Sequence, residues 1–387
     1  MHFHGISSYL CPTKVYMGVN AHTCIDGILK ELKATSCLLL CDPALAESAI
    51  AARIREILAG RGIAHAVFAD VEPDPGAATV DKALALCREQ RASLVIALGG
   101  GSAMDVGKAV GIVATNGGRI HDYEGIERFS TPKLPMIAIP STAGTGSEVS
   151  GSCVIADNER GAKMSVRHAA LNPAEYAILD PLAVSTLPAP VAAHSGLDAF
   201  VHALESYISR NANPITDAIN IEAIGMISGS LRQFYADRGN TEAALDMLCG
   251  ACLAGMTFGQ TGLGNVHCLA RFIGMRYHLS HGLSNALCLP IAARFNIFAR
   301  PEKFARVASA MGRDVRGLHT LDAARLALEA IRELCVDLDI PQRLRDVGVR
   351  EDELDELAEL AANAGYNKWN PRHTSRADFL AILRAAY

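Results

Sequence analysis

Nowhere in the 387 residues is there an apolar run of the roughly 18–20 residues that a membrane helix needs, which argues against a membrane-spanning chain. Nor is there a basic block. The 36 basic and 41 acidic side chains are interspersed and leave a net charge of −5, so there is no electrostatic reason to expect a nucleic-acid partner. The opening M-H-F-H-G-I-S-S-Y-L-C-P has no apolar core of the kind a secretory signal carries. Eleven cysteines, odd in number and scattered, do not make a disulfide framework. Together these absences predict a reducing, cytoplasmic setting. Internal repeats and low-complexity segments are also missing. One C-x-x-C, Cys249 and Cys252, sits among small and apolar residues with no second pair nearby; it reads as helix-packing thiols rather than as a redox or zinc pair.

Half of the chain is hydrophobic and a fifth charged, which suits a large globular core in one or two domains. The first half alternates short apolar runs with helical patterns. Ser36–Cys41 (S-C-L-L-L-C), His65–Ala69, Leu94–Leu98 (L-V-I-A-L) and Met136–Pro140 (M-I-A-I-P) are expected to be strands, with a helix over about 43–60 after the first. Strands spaced by helices predict a parallel, doubly wound sheet. After about Pro188 long amphipathic patterns take over (195–209, 214–235, 240–258, 321–338) without convincing strands. The acidic run from Glu351 to Glu359 carries leucines at helical spacing and reads as a solvated helix face. The expected organisation is an α/β N-terminal domain over residues 1–186 and an all-helical domain over 187–387, hinged at the proline-rich 181–190.

Several stretches carry chemistry. In L-V-I-A-L-G-G-G-S-A-M-D a strand runs into three glycines and a helix, where backbone N–H groups and a dipole end can meet a phosphate. It is not the G-x-G-x-x-G fingerprint, because Met104 fills the third glycine position, and a plain tight turn explains it equally well. Asp42, at the end of the first strong strand, can accept from a ribose and repel a 2′-phosphate; the competing reading is a helix cap ahead of Pro43. The loop P-S-T-A-G-T-G-S-E (140–148) follows the fourth strand, a usual position for ligand contacts. Together these favour a bound dinucleotide.

In the helical half, Asp198 and His202 share a helix face at i, i+4, and His267 and Arg271 repeat that spacing later. His281 follows in an H-G turn. One carboxylate with three imidazoles makes a site for Zn²⁺ or Fe²⁺ with a position open for substrate, if the fold brings them together.

These motifs in combination carry a resemblance. The chain resembles the iron-containing (group III) alcohol dehydrogenases, in particular their 1,3-propanediol dehydrogenase-like branch. It does so through G-G-G-S-A-M-D-V-G-K (99–108), I-P-S-T-A-G-T-G-S-E-V (139–149), G-L-D-A-F-V-H-A-L-E-S-Y-I-S (196–209), L-S-H-G-L-S-N-A-L-C-L-P (279–290) and N-P-R (370–372). The resemblance implies a dehydroquinate synthase-like fold with an α/β dinucleotide-binding domain, an all-α metal-binding domain, and NAD(H) and metal in the cleft between them. It puts the metal ligands on Asp198, His202, His267 and His281. Cofactor contacts fall on Asp42, Gly100, Gly101, Ser102, Ser141, Thr142 and Leu179, with Asp74, where relatives often carry asparagine, and Lys163 as weaker matches. The acid at position 42 favours NAD over NADP. Fe²⁺ leads the choice of metal, with Zn²⁺ and Mn²⁺ open. The implied activity is reversible hydride transfer between a short polar alcohol or aldehyde and NAD, in a homo-oligomer. The alternatives are a lyase of the dehydroquinate-synthase type and a non-catalytic NAD- or metal-binding relative.

One position departs from the family pattern. Relatives usually read H-x-x-x-H where this chain reads H-C-L-A-R, placing Arg271 at a histidine associated with proton relay. A guanidinium stays protonated and cannot take over that exchange. Three readings stand: Arg271 receives a carboxylate, sulfonate or phosphonate on the substrate; it turns to solvent or a structural acid; or catalysis is altered. His278, three residues before His281, is either a substitute relay or an ordinary loop residue.

Overall fold

The computed structural model describes residues 6–387. Residues Leu10–Leu187 form one compact unit; Pro188–Tyr387, with the described residues ahead of Leu10, form the other.

In the first unit, strands β1 (Lys14–Met17), β2 (Ser36–Cys41), β3 (Ala64–Phe68) and β4 (Leu94–Gly99) are followed by a short β5 (Gly125–Ile126). Then come β6 (Met136–Pro140), β7 (Ser152–Asp157), β8 (Ala162–Arg167) and β9 (Tyr176–Leu179). Six of them make an all-parallel sheet in the order β1-β9-β6-β4-β2-β3. Helices α1 (Ile25–Glu31), α2 (Ala49–Gly60), α3 (Ala77–Glu89) and α4 (Gly101–Asn116) supply the crossovers. Every residue of β2 and β4 is buried, which is why both read as continuous apolar runs. Their side chains still alternate. Leu38, Leu40, Val95 and Ala97 join one core with Val80, Leu84, Val106 and Val110 of α3 and α4. Leu39, Cys41, Ile96 and Leu98 join the other with Ile25, Ile28, Ile50, Ile54 and Leu58 of α1 and α2.

The four expected strands are present, with β3 one residue earlier than its pattern suggested. The expected helix over 43–60 is broken. A 3-10 turn at Pro43–Leu45 comes first, and α2 starts afresh at Ser48, whose hydroxyl accepts from the N–H of Ala51. The sheet is wider than the sequence suggested by β1 and β9, each four residues long. β5, β8 and β7 make a second, three-stranded sheet.

The second unit is built of helices, with no strand among its described residues: α5 (Ala189–Ile208), α6 (Pro214–Ala236), α7 (Thr241–Thr261), α8 (Asn265–Tyr277), α9 (His281–Asn296), α10 (Pro301–Ala310), α11 (Thr320–Asp337), α12 (Leu354–Ala362) and α13 (Arg376–Ala386). α5 is its spine. Gly196 lets α6 and α7 press against it, since a Cβ there would collide with Leu231 and Met247. α6 starts sharply because Asn213 caps the N–H groups of Ile215 and Thr216, with Pro214 in the first turn. The acidic stretch after Glu351 becomes α12, which buries Leu354 and Leu357 and pairs Glu356 with Arg276. No described helix is long and apolar enough to cross a membrane. None of the eleven cysteines is in a disulfide. Burial, aided by Asp246, pushes the Cys249 thiol up to about 11, which makes a poor nucleophile of it.

Candidate active site

In the first unit the chain passes from β2 outward to β3, then returns to the other side of β2 to form β4. The neighbouring ends of β2 and β4 are therefore a topological switch point, where open α/β sheets bind ligands. Asp42 leaves β2 there. Its carboxylate does not cap the turn behind it. It reaches across to accept from the N–H of Gly100 at 2.9 Å, and from the Ser141 hydroxyl. Burial raises its pKa, against the pull of those two donors. Gly100 precedes α4, and no side chain among the described residues caps that helix start, so its first N–H groups remain on offer to an anion. Ser102 lies in this first turn, while Thr142 and Thr145 border Gly100 and Gly101. A cofactor phosphate fits this uncapped cradle.

Lys108 keeps the hydroxyl-rich loop in place. Fully buried, it donates to the carbonyls of Ser147 (2.6 Å), Ser150 (3.0 Å) and Ser152 (2.8 Å). Asp105 accepts from the Ser147 hydroxyl at 3.0 Å and from the N–H of Val154 at 2.9 Å. Both residues stand in the quoted glycine motif, yet neither was singled out, because nothing local in the sequence marks a lysine for burial.

Two weaker matches prove to be partners: Lys163 Nζ lies 2.6 Å from Asp74 Oδ1. Asp74 has φ 54°, a left-handed conformation that aspartate and asparagine tolerate. Leu179 is buried to 1% exposure at the end of β9 and its carbonyl accepts from Gly18, so it offers a cofactor little surface.

The Gly99 backbone is pinched between Asp42 and α4. A Cβ there would lie 2.6 Å from Ala103 Cβ and 2.8 Å from Asp42 Oδ2. Gly99→Ala is expected to lower stability by about 1–3 kcal/mol and to weaken NADH binding; thermal melting and NADH fluorescence titration measure the two.

In the second unit, one donor atom each from Asp198, His202, His267 and His281 lie within 4.8 Å of one another. Asp198 and His202 project from one face of α5, His267 from the first turn of α8, and His281 from the start of α9, which Ser280 caps. His281 is the open member, with its side chain 54% exposed; the other three are buried.

Glu205, one turn beyond His202 on α5, organises this arrangement. Its carboxylate accepts from the N–H groups of Gly264 (2.9 Å) and Val266 (2.6 Å), capping α8 from outside. It also accepts from His267 Nδ1 at 2.7 Å. That bond fixes the tautomer and leaves the Nε2 lone pair of His267 facing the cluster. Burial pushes Glu205 up to about 7 against those backbone donors. Asn370, of the closing N-P-R, accepts from the N–H of Asn265 and the side chain of Asn296, tying α8 to α9. Burial, with His202 and His281 nearby, holds His267 well below its usual range, so its ring is neutral and ready to bind a cation. Burial works against the charge of Asp198, but His202, His281, His267 and Asn285 outweigh it and lower its pKa. Four converging donors, one anionic and three imidazole, with an outer carboxylate on one of them, fit a divalent transition metal.

Glu205 was quoted in the sequence motif without a role. Its spacing of three from His202 was the available signal, but its partners lie on another helix.

Arg271 is exposed on α8, one turn beyond His267. Among the described residues it has no hydrogen bond or ion pair; its guanidinium lies 6.0 Å from the ring of its neighbour Phe272. The structural acid considered for it is therefore not present among them. His278 ends α8 in a left-handed conformation, φ 53°, exposed and outside the group of converging donors.

The sequence model of the iron-containing alcohol dehydrogenases matches residues 12–181, and that of the C-terminal domain of the Fe-containing alcohol dehydrogenase family matches 192–387. The chain belongs to the iron-containing alcohol dehydrogenase family. It is 39% identical to a 1,3-propanediol dehydrogenase of Klebsiella pneumoniae over 98% of both chains. It is 35% identical to a sulfoacetaldehyde reductase of Bilophila wadsworthia over 97% of both. A solved structure of the sulfoacetaldehyde reductase from Bifidobacterium kashiwanohense in complex with NAD⁺ matches with a TM-score of 0.89 at 25% identity, over 99% of both chains. The architecture is the dehydroquinate synthase-like fold of this family. The protein is a metal-dependent alcohol/aldehyde oxidoreductase, and this parentage disfavours the lyase and non-catalytic alternatives.

Proposed function

We propose that the protein interconverts a short polar alcohol and its aldehyde with NAD(H), using a metal held by Asp198, His202, His267 and His281. The observation that carries this reading is the approach of those four donors to within 4.8 Å, with His267 locked by Glu205. When bound, the metal supplies Lewis acidity to the substrate oxygen and NAD supplies the hydride chemistry. Fe²⁺ is the first candidate, with Zn²⁺ and Mn²⁺ next. For the cofactor, the uncapped start of α4 at Gly100–Ser102 receives the phosphates, while Ser141 and Thr142 border it. The Asp42 carboxylate faces a ribose and disfavours a 2′-phosphate. The resemblance to an enzyme solved with NAD⁺ supports the same cofactor.

Arg271 sets the substrate class. An exposed guanidinium with no hydrogen bond or ion pair among the described residues, one turn from a metal ligand, suits a substrate that carries its own anion. A relative named for sulfoacetaldehyde shows that such substrates occur within this family. Because Arg271 cannot exchange the proton released on alcohol oxidation, that proton leaves through water or a ribose hydroxyl. A homo-oligomer in the cytoplasm completes the reading.

The test is an NADH absorbance assay on metal-loaded protein with C2–C4 aldehydes, neutral or bearing carboxylate, sulfonate or phosphonate. Turnover is expected to disappear on chelation and to return with Fe²⁺ or Zn²⁺. Activity that survives complete metal removal would sink the metal reading.

A further inference from the structure

Asn285 is fully buried on α9, one turn beyond His281 and on the same face. Its Nδ2 lies 2.5 Å from Asp198 Oδ1, 3.1 Å from His281 Nε2 and 3.4 Å from His267 Nε2. An amide nitrogen has two hydrogens, so it faces more acceptors than it can serve. At its other end, Asn285 Oδ1 is buried and has no hydrogen-bond partner among the described residues. One half of the side chain is oversubscribed and the other half is idle.

Turning the amide over would not repair this. It would bring a carbonyl oxygen against the Asp198 carboxylate and against the Nε2 lone pair that Glu205 imposes on His267. The orientation with nitrogen toward the donors is therefore fixed by charge, and it persists although it strands a carbonyl. A buried unsatisfied group is costly and rare, and such groups concentrate where function demands them.

We propose that Asn285 is a positioning residue of the metal site: by donating to Asp198 Oδ1 it fixes how the only anionic donor presents itself, and thereby sets metal affinity and coordination geometry. The inference rests on the reading of Asp198, His202, His267 and His281 as ligands. Asn285 touches Asp198 and two of the imidazoles, and it acts through them rather than on the substrate.

The experiment compares wild type with Asn285→Leu, which keeps the branched four-heavy-atom outline and removes the donor, and with Asn285→Ala. Zn²⁺ dissociation constants are measured by chelator competition, and the ligand-field spectrum of Co²⁺-loaded protein is recorded for each. Both variants are expected to bind Zn²⁺ about 10–100-fold more weakly and to show altered Co²⁺ bands. NADH affinity is expected to be unchanged. A merely structural role would lower the melting temperature of the metal-free protein and leave the Co²⁺ spectrum as it was. Asn285→Ala guards against a Leu variant that fails to fold. If wild type binds neither ion, the ligand assignment fails. If wild type binds and both variants match it in affinity and spectrum, the ligands stand and the role of Asn285 is overturned.

Discussion

Asp198→Ala is expected to lower kcat/KM for every accepted substrate by about a thousandfold or more, because it removes the one anionic donor from a buried site. Breaking a buried charge pair typically costs about 3–5 kcal/mol, and here three imidazoles would be left to hold a dication without an anionic partner. Stability should move differently from activity. In the metal-free protein, Asp198 is a buried charge stabilised by His202, His281, His267 and Asn285. Removing it relieves the burial penalty as well as those contacts, so the metal-free melting temperature should change little. What disappears is the gain on adding metal, which for wild type at 100 times the dissociation constant is about 2.7 kcal/mol. Glu205→Gln gives the graded comparison. Its effect reaches the metal only through the orientation of His267, and a loss of about 10–100-fold in metal affinity is expected. Melting curves with and without chelator, metal content and steady-state rates measure all of this. An Asp198→Ala protein that keeps its metal and turns over near the wild-type rate would remove Asp198 from the site.

The four donors of the candidate metal site were legible because each belongs to a chemistry-bearing type at helical spacing. Asp198 and His202 share a face by arithmetic alone; that His267 and His281 join them needs the packing of three helices. The residues that hold the ligands were much harder to read. Asn285 looks like any polar residue after an H-G turn until its amide is found against Asp198. Glu205 looks like an ordinary helical glutamate until the N–H groups at the start of α8 converge on it. Asp198 lies 87 residues from Asn285 and Gly264 lies 59 from Glu205 in sequence, beyond the reach of any local pattern.

The same distinction runs through the fold. β2 and β4, buried on both faces, announce themselves as S-C-L-L-L-C and L-V-I-A-L-G. β1 is only K-V-Y-M with both ends exposed, and β9 is Y-A-I-L; runs so short carry too little periodicity to separate strand from loop. β7 and β8 do alternate, but over six residues each, and their pairing with one another is a tertiary fact. Asp42 shows how one position can serve two ends. The sequence weighed ribose acceptor against helix cap; the carboxylate makes no cap, and one of its oxygens holds the glycine turn through the N–H of Gly100.

Arg271→His is expected to collapse the preference for anionic over neutral substrates, with the ratio of their kcat/KM values falling by about 5–30-fold. The magnitude follows from the setting. A charge-assisted hydrogen bond contributes about 1.5–3 kcal/mol when well shielded, and the exposure of Arg271 to solvent reduces that toward the lower end. Neutral aldehydes should lose little, since they have no group for the guanidinium to grip. Arg271→Lys should fall between, keeping the charge while losing the planar fork that pairs with a carboxylate or sulfonate. Ionic strength offers an independent check. For the wild type, KM for an anionic aldehyde should rise between low salt and about 0.5 M, where screening lengths shrink to a few ångströms, while KM for a neutral one stays level. In the histidine variant that contrast should vanish. Because an imidazole can exchange protons near neutral pH and a guanidinium cannot, Arg271→His should also give the rate with neutral alcohols a new dependence on pH between about 6 and 8. An unchanged substrate ratio in both variants would exclude Arg271 from substrate recognition and leave it as a solvated side chain on α8.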